Sequence, residues 1–454
     1  MSSCLIKGGH VIDPAGRRDG VADVLVKDGL VESVGRGLKA PDKTAVIDAK
    51  GMLVVPGLID AHSHLREPGR EDEETIASGT RAAVKGGYSG VVCMANTQPP
   101  IDSASEVSLV YERAHSQGAA RVYPVGAVSK GLEGRELAEL GDMAAAGAVG
   151  FSDDGRPVMD SELMRRALEY SRLFDLPVVS HAEDLTLTTG GQINEGSTST
   201  RLGLRGMPAA AEESMAARDI ALARLTGGRV HIAHVSSGRT VELVRRAKAD
   251  ELPVTCDVTP HHLLLTEEAT GDYDTNFKMN PPLRTAEDRE ALWEGLADGT
   301  IDCVATDHAP HAPEEKELEF DLAAFGVIGL ETALALVLSE SERRGGSRVR
   351  LIDALSTRPA SIFSLRGGSL LKGAPGDVSV IDPKKTWTVE PGAFESMSRN
   401  TPFSGWVAQG RARDVLVGGR LVLRDGEPAW EKPGQGEPAW EKPMRAQQAS
   451  GERA

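Results

Sequence analysis

Two hydrophobic rhythms alternate through the middle of the chain. Short apolar runs, the mark of strands buried on both faces, are each followed by a stretch with helical spacing. Eight such runs are legible: LVVPGLID (53–60), YSGVVCMA (88–95), RVYPVGA (121–127), AVGFS (148–152), PVVSH (177–181), RVHIAHV (229–235), PVTCDV (253–258) and DCVAT (302–306). Between them lie helix-like segments such as EETIASGTRAAVKGG, SELMRRALEYSRLF, AAEESMAARDIALARLTGG and RTVELVRRAKAD. Several close on Gly, as helix C-termini do. Strands alternating with helices over residues 55–365 predict an α/β fold of the (β/α)8 TIM-barrel type. An open doubly wound sheet is the alternative, but no GxGxxG opens a helix after the first run.

The ends have another texture. Residues 1–54 read as short strands broken by Pro14, Gly16 and Gly29, and residues 366–425 repeat that pattern in GDVSVIDP, KTWTVE and VLVGGRLVLRDG. Together they predict one small β-sandwich domain built from both chain ends. The remainder, 426–454, carries GEPAWEKP at 426–433 and again at 436–443. Two copies do not make a solenoid, and this low-complexity tail is expected to lie on the surface.

Composition narrows the class. The chain has 454 residues, 40% hydrophobic and 26% charged, as in ordinary soluble domains. Its net charge of -16 and lack of a basic tract argue against nucleic acid or an anionic membrane as partner. The four cysteines, Cys4, Cys93, Cys256 and Cys303, form no CxxC pair and read as buried thiols. No apolar run reaches transmembrane length and no leader is legible, so a cytoplasmic location is expected.

The chemistry follows the strand ends, where barrel enzymes place it. After the first run comes Asp60-Ala61-His62-Ser63-His64-Leu65-Arg66; the second leads to Asn96, the fourth to Asp153 and Asp154, the fifth to His181. The sixth ends near His234, the seventh precedes His261 and His262, and the eighth precedes Asp307, His308 and His311. Of 11 histidines, His10, His115 and His231 alone lie elsewhere. His62 and His64 are two apart on an extended segment, so both rings face one side and can reach one ion. Mixed imidazole and carboxylate donors suit a catalytic metal with an open position.

PGLIDAHSHLREPG resembles the opening metal motif of the dihydroorotases. MANTQPP, GFSDDG, SHAED, HIAHVSS, KMNPPLR, TDHAPH and NTPFSG resemble further segments of that family, in the same order. The resemblance implies a zinc-dependent barrel enzyme of the cyclic amidohydrolases, with one or two Zn2+ ions. It implies His62, His64, Asp154, His181, His234 and Asp307 as metal-side residues, with Asp307 also the catalytic acid/base. It implies Arg66, Asn96, Asn280 and His311 on the substrate side. Asp60 is expected to orient a ligand, and His261 and His262 to be structural or to support the site from behind its ligands. The charged stretch 308–329 is expected to form a loop over the site, with Glu314 to Glu319 solvated.

Hydantoinases and allantoinases, the neighbouring enzymes of this type, usually bridge two zincs with a carboxylated lysine on the fourth strand. This chain has no lysine between 131 and 247, and Asp154 is the available substitute. That favours the lysine-free bacterial dihydroorotases, which interconvert N-carbamoyl-L-aspartate and L-dihydroorotate in pyrimidine biosynthesis. Two rival readings remain: a hydantoinase-type enzyme, and a non-catalytic scaffold for aspartate transcarbamoylase. The implied partners are a small-molecule substrate, further copies of the chain in a homo-oligomer, and in some members that transcarbamoylase.

Overall fold

The computed structural model describes residues 3–41 and 44–429. The duplicated tail from Trp430 onward, with Trp440, lies outside the described residues.

The barrel is built from eight strand positions in chain order. Leu58–Ser63, Tyr88–Cys93 and Arg121–Pro124 pair in parallel, as do Val178–Ser180, Val230–Ile232, Val254–Val258 and Cys303–Val304. The fourth position is shorter than AVGFS suggests. It is the single residue Phe151, bridged to Gly126 on one side and Val178 on the other. Its own backbone bonds to the fifth strand, Phe151 N–H donating to Pro177 O at 3.0 Å and Phe151 O accepting from Val179 N–H at 2.8 Å; on the other side Gly126 N–H donates to Gly150 O at 3.0 Å and Gly126 O accepts from Ser152 N–H at 2.8 Å. A bridge between Ser63 and His308, with His64 N–H donating to His308 O at 2.9 Å, closes the ring.

Helices alternate with these strands and carry local start and stop signals. Ile76–Lys85 begins at a Thr75–Ser78 capping box. Ser161–Ser171 begins at Asp160, whose side chain accepts from Glu162 and Leu163 N–H. Ala210–Thr226 ends at Gly227 (φ +68°), the left-handed cap that Gly supplies without strain. Inside the ring, Ala61, Val92, Tyr123, Val179, Ala233 and Phe363 pack a small-residue core. Aliphatic and alanine faces of the helices cover the outside.

The apolar run 53–60 is two strands, not one. Leu53–Pro56 pairs with Val378–Thr388 and Ser3–Asp13, and Leu58–Ser63 enters the barrel. Gly57 is the switch between them. A Cβ there would sit 2.2 Å from Ser89 Oγ, so the crossing needs glycine. The outer sheet has nine strands and draws on both chain ends. Its long strand Ser3–Asp13 bends at Gly8 (φ +72°): Cys4–Lys7 pair with Ala45–Asp48, whereas His10 and Val11 pair with Leu53 and Val54. The bend wraps the sheet around its own core, which joins Ile6, Val24 and Val54 to Val378, Val380 and Leu416. Glu427–Pro428, at the start of the expected tail, is a short edge strand on Arg420–Arg424. All four cysteines are buried and free.

Phe151 is fully buried and its backbone joins the two halves of the barrel. Phe151→Ala is expected to cost about 3–5 kcal/mol, read as a lower urea midpoint. A loss below about 1 kcal/mol would show that the ring does not hold this join.

Candidate metal centre at the barrel mouth

The strand ends bring His62, His64, Asp154, His181, His234 and Asp307 into one buried cluster. His62 and His64 leave the first strand beside an irregularity between Asp60 and Ser63, where it carries one more residue than its partner. His62 Nε2 lies 3.3 Å from Asp154 Oδ2 and 3.7 Å from Asp307 Oδ1. His64 Nε2 lies 3.1 Å from Asp307 Oδ1 and 3.5 Å from Asp154 Oδ2. Across the mouth, His181 Nδ1 is 3.0 Å from His234 Nε2, and these nitrogens lie 3.6 and 3.4 Å from Asp154 Oδ1.

Asp154, not its neighbour, faces the imidazoles. Asp153 turns away and accepts from Val128 N–H at 2.8 Å and Ser129 N–H at 2.9 Å, and from the Ser129 hydroxyl.

Two backbone positions here are left-handed although neither is glycine: His234 at φ +36° and Asp307 at φ +46°. Such conformations are held by surrounding contacts. Asp257 accepts from His234 N–H at 2.8 Å and binds His231 Nε2 at 2.8 Å, which gives His231 its place. Asp60 does not reach a ligand ring. It accepts from Thr306 N–H at 2.7 Å and Thr306 Oγ1 at 2.6 Å, tying the first strand to the residue before Asp307. Burial pushes the Asp60 carboxyl up to about 7, against those hydrogen bonds.

The electrostatics favour a cation. Burial disfavours imidazolium, yet the nearby Asp154 carboxylate overrides it and His62 is pushed up to about 10. Burial likewise opposes a charged His181, but Asp154 and Glu183 raise it to about 10. Burial opposes ionised carboxylates too, yet the imidazoles hold Asp154 and Asp307 below the ordinary range. Buried carboxylates with this field need positive charge between them.

The donor set fits a metal. Both ring nitrogens of His62 and Nδ1 of His234 are buried without a hydrogen-bond partner among the described residues. Such orphaned atoms call for a ligand. His62, His64 and Asp307 bring one donor atom each within 4.8 Å of one another, and so do His62, Asp154 and His234. His62 belongs to both sets.

The remaining expected residues surround the cluster. Asn96 Oδ1 lies 2.8 Å from His64 Nδ1, so an N–H there turns His64 Nε2 toward Asp307. Arg66, at φ +59°, donates from Nε to Pro310 O at 3.0 Å and pairs with Glu73 at 3.0 Å. Its Nη2 lies 3.5 Å from His311 Nε2. His311 has both nitrogens committed in its own loop, to Glu315 Oε2 and Phe325 O, each at 2.8 Å. Glu73, His311 and Glu315 also come together, but Arg66 and Arg70 already neutralise that group. Asn280 Nδ2 donates to Glu183 Oε2 at 2.8 Å. His262 is structural, set between Thr259 Oγ1 and Pro281 O. His261 stays buried and uncharged, held down at about 4 by desolvation. His308 accepts from Gly329 N–H at Nδ1 and faces Glu74 from Nε2.

Two contributors had no role in the sequence reading. Glu183 binds His181 Nε2 at 3.0 Å, and Asn400 donates to Ala309 O and Gly326 O, bracing the loop after the eighth strand. Both lie in segments resembling family motifs, SHAED and NTPFSG; that was the available signal.

The comparisons bear on the family and the fold. The Dihydro-orotase-like family model matches residues 51–240. The chain is 52% identical over 430 residues to a dihydroorotase of Anaeromyxobacter dehalogenans (strain 2CP-C), covering 94% of this chain and 99% of the relative. It is 51% identical over 422 residues to a dihydroorotase of Geobacter sp. (strain M21), covering 93% and 99%. Among solved structures, an L-hydantoinase (dihydropyrimidinase) from Arthrobacter aurescens superposes with a TM-score of 0.86 at 25% identity, covering 95% of this chain and 98% of that one. With a barrel and outer sheet of this architecture and half of its residues shared over nearly its full length, the chain belongs to the dihydroorotase family of cyclic amide hydrolases.

Proposed function

We propose that the chain is a dihydroorotase that reversibly hydrolyses L-dihydroorotate to N-carbamoyl-L-aspartate, serving ring closure in pyrimidine biosynthesis. The observation that carries this reading is the six-residue His/Asp cluster ringed by Arg66, Asn96 and Asn280, in a chain half identical to dihydroorotases. In this reading His62, His64, Asp154, His181, His234 and Asp307 would hold one or two zinc ions. When bound, zinc supplies Lewis acidity that activates water and polarises the ring amide carbonyl.

The protein's own groups then do the rest. Asp307, kept ionised by the imidazoles around it, accepts a proton from the attacking water. The water oxygen bonds to the amide carbon, the ring C–N bond breaks, and Asp307 passes the proton to the departing nitrogen. Ring closure runs the same steps backward. The Nε edge of Arg66 is committed to Pro310 and Glu73, so the end-on Nη1/Nη2 edge receives the substrate carboxylate. Asn96 and Asn280 orient the ring without adding charge. The loop 308–329 covers the site.

The hydantoinase likeness bears on the architecture, while the missing fourth-strand lysine and Arg66 favour dihydroorotate over hydantoins. No helix among the described residues is long and apolar enough to cross a membrane. A cytoplasmic location, a homo-oligomer and an association with aspartate transcarbamoylase complete the reading.

The first test pairs elemental analysis of the purified protein with dihydroorotate turnover, expecting one or two zincs per chain and activity that a chelator removes. Zinc without turnover of dihydroorotate, or faster turnover of hydantoins, would overturn the substrate assignment. Asp307→Asn is expected to lower kcat by about 10²–10⁴-fold, the worth of a general acid/base; near-normal turnover with zinc retained would remove Asp307 from that role. Arg66→Lys keeps the charge but loses the planar fork, so KM for dihydroorotate should rise about tenfold or more. An unchanged KM would exclude the clamp.

A further inference from the structure

Glu183 lies two residues beyond His181, at the end of the fifth barrel strand, and one of its oxygens is shared. His181 Nε2 stands 3.0 Å from Glu183 Oε2, and Asn280 Nδ2 donates to the same atom at 2.8 Å. The Glu183 side chain is about one-tenth exposed (11%), and His181 is more buried still. An ionised carboxylate only accepts hydrogen bonds. In the neutral ring that a metal takes, the contact therefore holds the proton on His181 Nε2 and leaves the Nδ1 lone pair facing His234 Nε2, 3.0 Å away, and Asp154 Oδ1, 3.6 Å away. The same oxygen selects the Asn280 rotamer that presents its nitrogen to Glu183, and so directs Asn280 Oδ1 elsewhere.

We propose that Glu183 is a positioning residue that couples the metal side of the centre, through His181, to the substrate side, through Asn280. This rests on the roles given to His181 and Asn280 under the proposed function. Carboxylates behind ligand histidines fix the ring tautomer and commonly carry about 10–100-fold in metal affinity. The shared oxygen adds a reciprocal consequence: a change at Asn280, whose hydrogen bond goes to Glu183 and not to an imidazole, is felt in metal binding, because linkage works in both directions.

The test uses the full-length protein, stripped of metal. Zn2+ affinity is measured by competition with a chromophoric chelator, and kcat and KM for dihydroorotate at saturating zinc. Glu183→Gln should weaken Zn2+ binding about 10–100-fold and raise KM more than it lowers kcat, with Glu183→Asp recovering part of both. Asn280→Ala should weaken Zn2+ binding about threefold or more, a change that loss of a substrate contact alone would not produce. A folded Glu183→Gln protein with Zn2+ affinity and KM within about twofold of wild type, its melting temperature alone lowered, overturns the proposal. If Glu183→Gln does not fold, Asn280→Ala decides: unchanged Zn2+ affinity overturns the coupling. Wild-type protein that binds zinc but does not turn over dihydroorotate overturns the substrate reading instead, and the zinc affinities still judge Glu183.

Discussion

Burial of two carboxylates among four imidazoles is the constraint on which the barrel mouth depends. Asp154 and Asp307 are largely buried, and their charge is balanced from within a radius of a few ångströms. Ionised groups at such depth persist when each has partners arranged in advance. The backbone pays for that arrangement with left-handed conformations at His234 and Asp307. Asp257 and the Asp60–Thr306 pair sit beneath these two positions, so a second tier of buried carboxylates holds the first in place.

Much of this was legible in the chain because barrel topology makes it so. Parallel strands with their ends at one rim turn a one-dimensional pattern, polar residues after apolar runs, into a three-dimensional cluster. His62, His64, His181, His234 and Asp307 could be placed at that rim without knowledge of side-chain direction, whereas the choice of Asp154 rested on the resemblance of GFSDDG to the family motif. The illegible parts depended on direction or on non-local pairing. LVVPGLID looks like one strand, and only the steric limit at Gly57 divides it between two sheets. AVGFS looks like a strand of five residues, yet its bridges to both neighbours fall on Phe151 alone. Asp153 and Asp154 are adjacent and chemically identical; the N–H groups of Val128 and Ser129 decide which one turns away. Glu183 stood in plain view two residues after His181, but its worth lies in a contact with Asn280, which sequence spacing does not show.

The loop after the eighth strand shows the limit of charge counting. Glu314, Glu317 and Glu319 are exposed, as a solvated charge run should be. Lys316, in their midst, turns inward and donates from Nζ to Ala324 O at 2.8 Å, Gly326 O at 3.1 Å and Lys278 O at 3.3 Å. Lys278 is buried beside it, donates to Phe320 O at 2.6 Å, and stands 4.5 Å from the centre of the Phe325 ring. Two cations bonded to carbonyls lose charge stability: desolvation draws Lys278 down to about 8 against the attraction of Asp321, and desolvation together with Lys278 draws Lys316 down to about 7 against Asp274 and Glu315.

That arrangement explains why the loop keeps its shape without a hydrophobic core of its own. Carbonyl groups at Phe320 and Ala324 would otherwise face inward unpaired, which is costly for a buried loop. The lysines satisfy them with donors on long stems, and Asn400 adds two more hydrogen bonds from the far end of the chain. The same loop carries Pro310, whose carbonyl accepts from Arg66 Nε, and His311, which approaches Arg66 Nη2. The edge of Arg66 left open to a ligand is therefore set by a loop whose form is fixed from inside by Lys278 and Lys316, residues that a charge count alone would have assigned to the solvent.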